Sequence, residues 1–248
     1  MKQFLLFFSF IFAMQISAQK PAENTFVKDN FIKKEVYIPM RDGVRLFTSI
    51  YIPKDISKTK KYPFLMQRTC YSVAPYGENE YKTSLGPNKF LMNEKYIFVY
   101  QDVRGRYMSE GTFTNMTPQV AHNSKKNVDE STDTYDTLDW LVKNITNNNG
   151  KAGQYGTSYP GFYTAVGTLA NHPALVASSP QAPISNFWND DFLHNGRFML
   201  GYFRTFPVFG VQKTKPEQKA WYNDTFADAK SEDGLKFYRD MGTLKEGY

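Results

Sequence analysis

Apolar and polar positions follow two different rhythms along this chain, and the points where the rhythm changes mark where strands give way to helices. Residues 34–52, KEVYIPMRDGVRLFTSIYI, place β-rich runs on both sides of Asp42-Gly43. An Asp-Gly pair between two such runs predicts an antiparallel hairpin. YPFLMQR (62–68) and YIFVYQ (96–101) are short apolar runs suited to strands buried on both faces. Residues 88–95 between them predict a short helix. From Asn127 to Asn149 the period lengthens. Leu138, Leu141, Val142 and Ile145 recur at helical spacing, while Asp129, Glu130, Asp133 and Asp136 sit early, where the helix dipole favours acids. The string Asn147-Asn148-Asn149-Gly150 ends that helix and KAGQYG (151–156) predicts a short strand. Phe162 to Ala170 predicts a second helix, and Leu175 to Ser179 another short strand. Strands alternating with helices after an antiparallel start predict an α/β fold with a mainly parallel sheet and helices on both faces. From Pro183 onward, FWNDDFLHNGRFMLGYF (187–203) and EQKAWYNDTFADAKSEDGLKFYRDM (217–241) predict covering helices.

The first residues change the picture. MKQFLLFFSFIFAMQISAQK has Lys2, an apolar run from Phe4 to Met14 and small residues at Ser17 and Ala18, the pattern of a secretory signal cut near Ala18. No later stretch reaches the ~20 apolar residues of a membrane span. The expectation is an exported chain, periplasmic or extracellular, with no membrane contact after cleavage. A composition 41% hydrophobic, with 21 Phe and 17 Tyr among 248 residues, excludes a solvated tail. The net charge of +6 is scattered, and Lys58, Lys60, Lys61, Lys125 and Lys126 form no Arg-rich or aromatic stripe, so a solvated face is expected rather than a nucleic-acid footprint. Cys70 is the only cysteine, which excludes an intrachain disulfide and a Cys-built zinc site. Neither metal nor cofactor is expected, and nothing in the sequence speaks to oligomeric state.

The candidate chemistry lies in GKAGQYGTSYPGF (151–163), where Ser158 stands between a predicted strand and a predicted helix. That is the setting of a nucleophile elbow, with the hydroxyl above the sheet edge and helix N–H groups facing a developing oxyanion. Gly156 and Gly161 permit close backbone approach on both sides, and Pro160 suits a helix's first turn. The literal G-x-S-x-G pattern is not met, because Pro160 holds the last position and Gly161 follows it. A glycine-permitted turn without chemistry is the competing reading.

QDVRGRYMSEG (101–111), RTCY (68–71), GTSYPGF (156–162) and HPALVASSPQAPISNFWNDDF (172–192) together resemble the family of cocaine esterase, α-amino-acid ester hydrolases, glutaryl-cephalosporin acylases and X-prolyl dipeptidyl peptidases. The resemblance spans roughly Val36 to the C-terminus. It implies an α/β-hydrolase: a signal over 1–18, the N-terminal part of the hydrolase domain over 19–182, and the start of a helical cap over 183–248. Ser158 would be the nucleophile. The backbone N–H of Tyr159 and the hydroxyl of Tyr71 would form the oxyanion hole, the alternative for Tyr71 being a loop aromatic packed under the cap. Asp102, Arg104 and Arg106 read as scaffold, a carboxylate accepting backbone N–H groups beside Arg forks. Asp190 and Asp191 would either attract a substrate amine from the cap or cap a surface helix. The partner implied is a small-molecule ester, amide or peptide. Two positions depart from the family: Cys70 stands where relatives often have proline, which implies a less rigid loop around Tyr71, and Pro160 stands where some aminoacyl-ester relatives carry a carboxylate.

A serine nucleophile needs a base, supplied in α/β-hydrolases in the chain order Ser, acid, His. The histidines here are His122, before the serine, His172, expected to point away from it, and His194 in the cap-like segment. The expectation is therefore an N-terminal fragment of an exported serine hydrolase whose triad acid and histidine lie beyond Tyr248. A secreted binding protein on a decayed hydrolase scaffold is the alternative. A general lipase fits less well, since RTCYSVAPYG holds only Gly77 where lipases carry a glycine-rich oxyanion loop.

Overall fold

Around Asp42-Gly43 the chain folds back on itself: strand β1 (Phe31–Pro39), preceded by the short helix α1 (Phe26–Asn30), pairs antiparallel with β2 (Arg45–Pro53), Pro39 opposite Arg45. The computed structural model describes residues 25–186, 189–190, 193–195, 197–199 and 239–240. The signal over 1–18 and most of the cap segment lie outside these residues. β3 (Tyr62–Thr69), α2 (Lys89–Glu94), β4 (Ile97–Asp102), α3 (Glu130–Asn144), β5 (Asn148–Thr157), α4 (Tyr159–Gly167) and β6 (Leu175–Gln181) follow in chain order. The six strands form one sheet in the order β1-β2-β4-β3-β5-β6, antiparallel where β2 meets β1 and β4, parallel from β4 through β6.

Side-chain alternation sends each strand's residues to two cores. From β4, Ile97 and Val99 join Phe64, Met66, Ile50 and the α3 residues Leu138 and Leu141 on one face. Phe98 and Tyr100 join Tyr51, Phe31 and Met92 of α2 on the other. Helices thus cover both faces, as the alternating pattern predicts. β4 is buried along its whole length, whereas β3 alternates buried with half-buried positions, so only one of the two apolar runs is enclosed on both sides.

Three boundaries differ from the sequence expectation. α3 stops at Asn144 because the Asn148 side chain donates to the carbonyls of Val142 and Ile145, closing the helix end. The polar string that was expected to end the helix therefore opens β5 instead. α4 starts at Tyr159, three residues before Phe162, since Pro160 fits a first turn where no N–H is needed. Within 187–203 the described residues Leu193–His194 (β7) and Arg197–Phe198 (β8) pair antiparallel, where a helix was expected. Asn195-Gly196 between them is a two-residue hairpin signal, with Asn195 at φ 53°, and it overrides the helical spacing. Of residues 217–241, only Arg239 and Asp240 are described, both helical.

α3 owes its start to Asp129. The Asp129 carboxylate accepts from Ser131 N and Thr132 N at 2.9 Å, from Val120 N at 3.0 Å and from His122 Nε2 at 2.8 Å, while Thr132 Oγ1 accepts from the Asp129 N–H. Burial alone would raise its pKa, but these donors outweigh burial and hold the carboxyl at about 2. We expect Asp129→Ala to cost about 2 kcal/mol in urea unfolding at neutral pH. The gap should close as the pH falls toward 2, because a carboxylate whose folded pKa is depressed from 3.8 stabilises only while it stays ionised. A loss that does not change with pH would refute that assignment.

Candidate active site

Ser158 sits where β5 ends and α4 begins. Its backbone is at φ 62°, ψ −122°, a region that glycine enters readily and side-chain-bearing residues seldom do. The turn is shut by its neighbours: Ser158 N donates to Gln181 O at 3.0 Å at the end of β6, and Phe162 N donates to Ser158 O at 3.0 Å. A β-carbon on Gly156 would lie 2.2 Å from Pro160 O, and one on Gly161 would lie 2.5 Å from Gln181 O. Only residues without a side chain allow strand and helix to approach so closely. The Ser158 side chain makes no capping bond to α4, although serine commonly caps helices through such a bond.

Tyr159 packs into a cluster of Cys70, Val103, Phe113, Phe162, Tyr163 and Ile184 beneath the turn. Its hydroxyl accepts from Met116 N at 2.8 Å and donates to Asn115 Oδ1, so the loop after Gly111 is tied to the first residue of α4. Nothing in the sequence marked that tie. Deeper, Arg68 on β3 donates to Gln101 Oε1 at 2.8 Å, pairs with Glu130 at 2.8 Å and lies over the Tyr163 ring, joining β3, β4, α3 and α4.

Tyr71 follows β3, and its ring meets the Tyr159 ring edge-on at 6.3 Å between centroids. The structure thus sets Tyr71, from a distant segment, against Tyr159, the neighbour of Ser158. Cys70, next to Tyr71, is fully buried, and burial pushes its thiol up to about 12, so it is a packing residue rather than a thiolate.

The D-V-R-G-x-x-x-S stretch is structural. Asp102 Oδ1 accepts from Val73 N at 3.0 Å, and Oδ2 accepts from Tyr76 Oη at 2.9 Å and Met108 N at 3.3 Å. Burial nevertheless pushes this carboxyl up to about 7. Ser109 Oγ donates to Asp102 O at 2.6 Å and accepts from Phe47 N. Arg106 Nε donates to Cys70 O at 3.1 Å, as expected of an Arg fork on a nearby carbonyl. Arg104 instead joins Asp42 of the hairpin turn to Asp133 of α3, an ion-pair bridge made only by the tertiary fold.

The remaining candidates are held by local bonds or lie on other elements. Asp190 accepts from Asn186 N and Ser185 N at 2.8 Å, which lowers its pKa; both donors precede it, and neither lies in a helix. Asp191 lies outside the described residues. His122 is bonded to Asp129. His172 packs on Tyr135 and accepts from Ala174 N, ahead of β6 and so at the opposite end of the parallel strands from Ser158, as expected. His194 is exposed on β7.

The chain is 30% identical to a cocaine esterase of Rhodococcus sp. (strain MB1 Bresler), over 62% of this chain and 24% of that protein. Among solved structures, an α-amino-acid ester hydrolase superposes with a TM-score of 0.64 and 36% identity, over 84% of this chain and 34% of that one. An aminopeptidase from a marine sediment archaeon, Thaumarchaeota archaeon, gives 0.66 and 32%, over 92% and 38%. The chain thus spans between a quarter and two fifths of these relatives, which carry α/β-hydrolase folds. The profile of the X-Pro dipeptidyl-peptidase (S15 family) matches residues 42–241. That match takes in both the turn at Ser158 and the strands that carry it, and the chain belongs to the X-Pro dipeptidyl-peptidase family, S15, of α/β-fold hydrolases.

Proposed function

We propose that this chain carries the nucleophile and oxyanion hole of an exported serine hydrolase that cleaves ester or amide bonds of small aminoacyl or peptide-like substrates. Ser158 Oγ attacks the substrate carbonyl. The tetrahedral oxyanion takes hydrogen bonds from the Tyr159 N–H and the Tyr71 hydroxyl, the leaving group departs with a proton, and water releases the acyl group from Ser158. The observation that carries this reading is the backbone of Ser158: φ 62° and ψ −122° between two glycines whose β-carbon positions are filled by backbone. A turn serving only to connect strand and helix would relax its strain with glycine at that position. A serine kept there, with no bond to the helix it precedes, is free for chemistry.

The base that takes the Ser158 proton is proposed to be a histidine from sequence outside this chain, because His122 is bonded to Asp129, His172 precedes β6 at the other end of the parallel strands, and His194 is exposed on β7. The relatives, of which this chain spans 24% to 38%, leave room for it. Export rests on the Lys2 to Ala18 pattern. Treating the full-length protein with a fluorophosphonate probe and mapping the adduct by peptide mass tests the assignment. The adduct is expected on the peptide holding Ser158. An adduct on another serine, or none, would refute it.

A further inference from the structure

Tyr71 sits in a loop whose backbone is tied at almost every residue. Val103 N donates to Thr69 O at 3.0 Å, Arg106 Nε to Cys70 O at 3.1 Å, and Tyr71 N to Thr69 Oγ1 at 3.0 Å. Two residues further on, Val73 N donates to Asp102 Oδ1 at 3.0 Å, and Tyr76 Oη donates to Asp102 Oδ2 at 2.9 Å. Between the two sets of ties lies Ser72 at φ 88°, a conformation that a residue with a β-carbon keeps only when its surroundings hold it. Asp102 is the side chain that does so from the downstream side. It is wholly buried and ends β4, which lies beside β3 in the sheet, so its position is set by the core rather than by the loop.

We propose that Asp102 is a positioning residue for the oxyanion hole: by holding Val73 and Tyr76, its carboxylate fixes the strained turn at Ser72 and so aims the Tyr71 hydroxyl. This rests on the reading of Tyr71 as an oxyanion donor. The hydrogen bonds also supply the rigidity that proline would otherwise bring at position 70. A carboxylate is needed because its two oxygens accept from three donors. An asparagine amide keeps one accepting oxygen and turns its own N–H groups toward the Met108 N–H.

The test is a double-mutant cycle in the full-length protein with p-nitrophenyl acetate at pH 8.5, where Asp102 is ionised, using Tyr71→Phe, Asp102→Asn and the double variant. Tyr71→Phe is expected to lower kcat about 100-fold, the lower end for loss of one oxyanion donor. Asp102→Asn is expected to lower kcat about 10-fold with KM within about 2-fold, since the hydroxyl is misplaced rather than removed. On the Tyr71→Phe background, Asp102→Asn should have no further effect on kcat. Equal losses on both backgrounds, or no loss on the parent, would overturn the proposal. If Tyr71→Phe alone leaves kcat unchanged, the oxyanion reading itself falls, an outcome seen separately from the coupling. Should Asp102→Asn fail to fold, Tyr76→Phe removes one of the three bonds to Asp102, together with the Tyr76 bond to Ser72 Oγ, and should show a kcat loss with the same coupling. Its absence would count equally against the proposal.

Discussion

Ser158→Ala in the full-length protein is expected to abolish hydrolysis of p-nitrophenyl acetate, lowering kcat by at least about 1,000-fold, while leaving the melting temperature unchanged. The rate loss follows from removing the atom that bonds the acyl group, after which only oxyanion stabilisation and binding remain. The unchanged stability follows from the local geometry. The hydroxyl makes no capping bond to α4, so alanine forfeits no hydrogen bond with the helix. Alanine is also no better and no worse than serine at φ 62°. Glycine is better there. Ser158→Gly should be equally inactive yet more stable by about 1 kcal/mol, because it removes the strain that the β-carbon imposes. Steady-state kinetics with thermal melts of the three proteins decide the matter. A parent-like rate in Ser158→Ala would take Ser158 out of the chemistry. A Ser158→Gly variant no more stable than the parent would show that the turn is not strained.

Gly156→Ala is expected to be strongly destabilising for a single added methyl, costing more than about 3 kcal/mol. The new carbon would lie 2.2 Å from Pro160 O, 2.4 Å from Pro160 C and 2.9 Å from Gly161 N. All three atoms are backbone in the first turn of α4, so no side chain can swing aside, and relief requires moving the helix away from β5. A domain with a total stability of about 5–15 kcal/mol would be largely depleted by such a shift. Gly153→Ala, in the same strand, is the control. Its nearest neighbour is a Leu65 methyl at 3.5 Å, an ordinary contact. Urea unfolding should place Gly153→Ala within about 1 kcal/mol of the parent and Gly156→Ala far below it. Similar midpoints for the two would show that the helix yields at little cost.

These expectations draw on both levels of description. The elements with strong local signals were legible in the sequence. Asp42-Gly43 turns the hairpin, and the spacing of Leu138, Leu141 and Ile145 makes an inward helix face. The Gly156, Ser158 and Gly161 set marks the turn with the candidate nucleophile, because only glycine allows strand and helix backbones to meet there. Such signals live in a few neighbouring residues, so they survive without knowledge of the rest of the chain. Where two local signals competed, the pattern misled. Leu193–His194 pairs with Arg197–Phe198 inside an apparently helical run, and the Asn148 side chain closes α3 at Asn144, ahead of the polar string to which it belongs.

What only the tertiary structure decided concerns residues far apart in sequence. It placed the Tyr71 ring on Tyr159, tied Val73 and Tyr76 to Asp102, sent Arg104 to Asp42 and Asp133 rather than to its neighbour Asp102, and set His172 at the far end of the strands from Ser158. Each of these depends on the strand order β2-β4-β3-β5, which local spacing does not encode. A strand's neighbours are chosen by how all the apolar faces are buried together, and a buried carboxylate accepts from whichever donors that packing brings within about 3 Å.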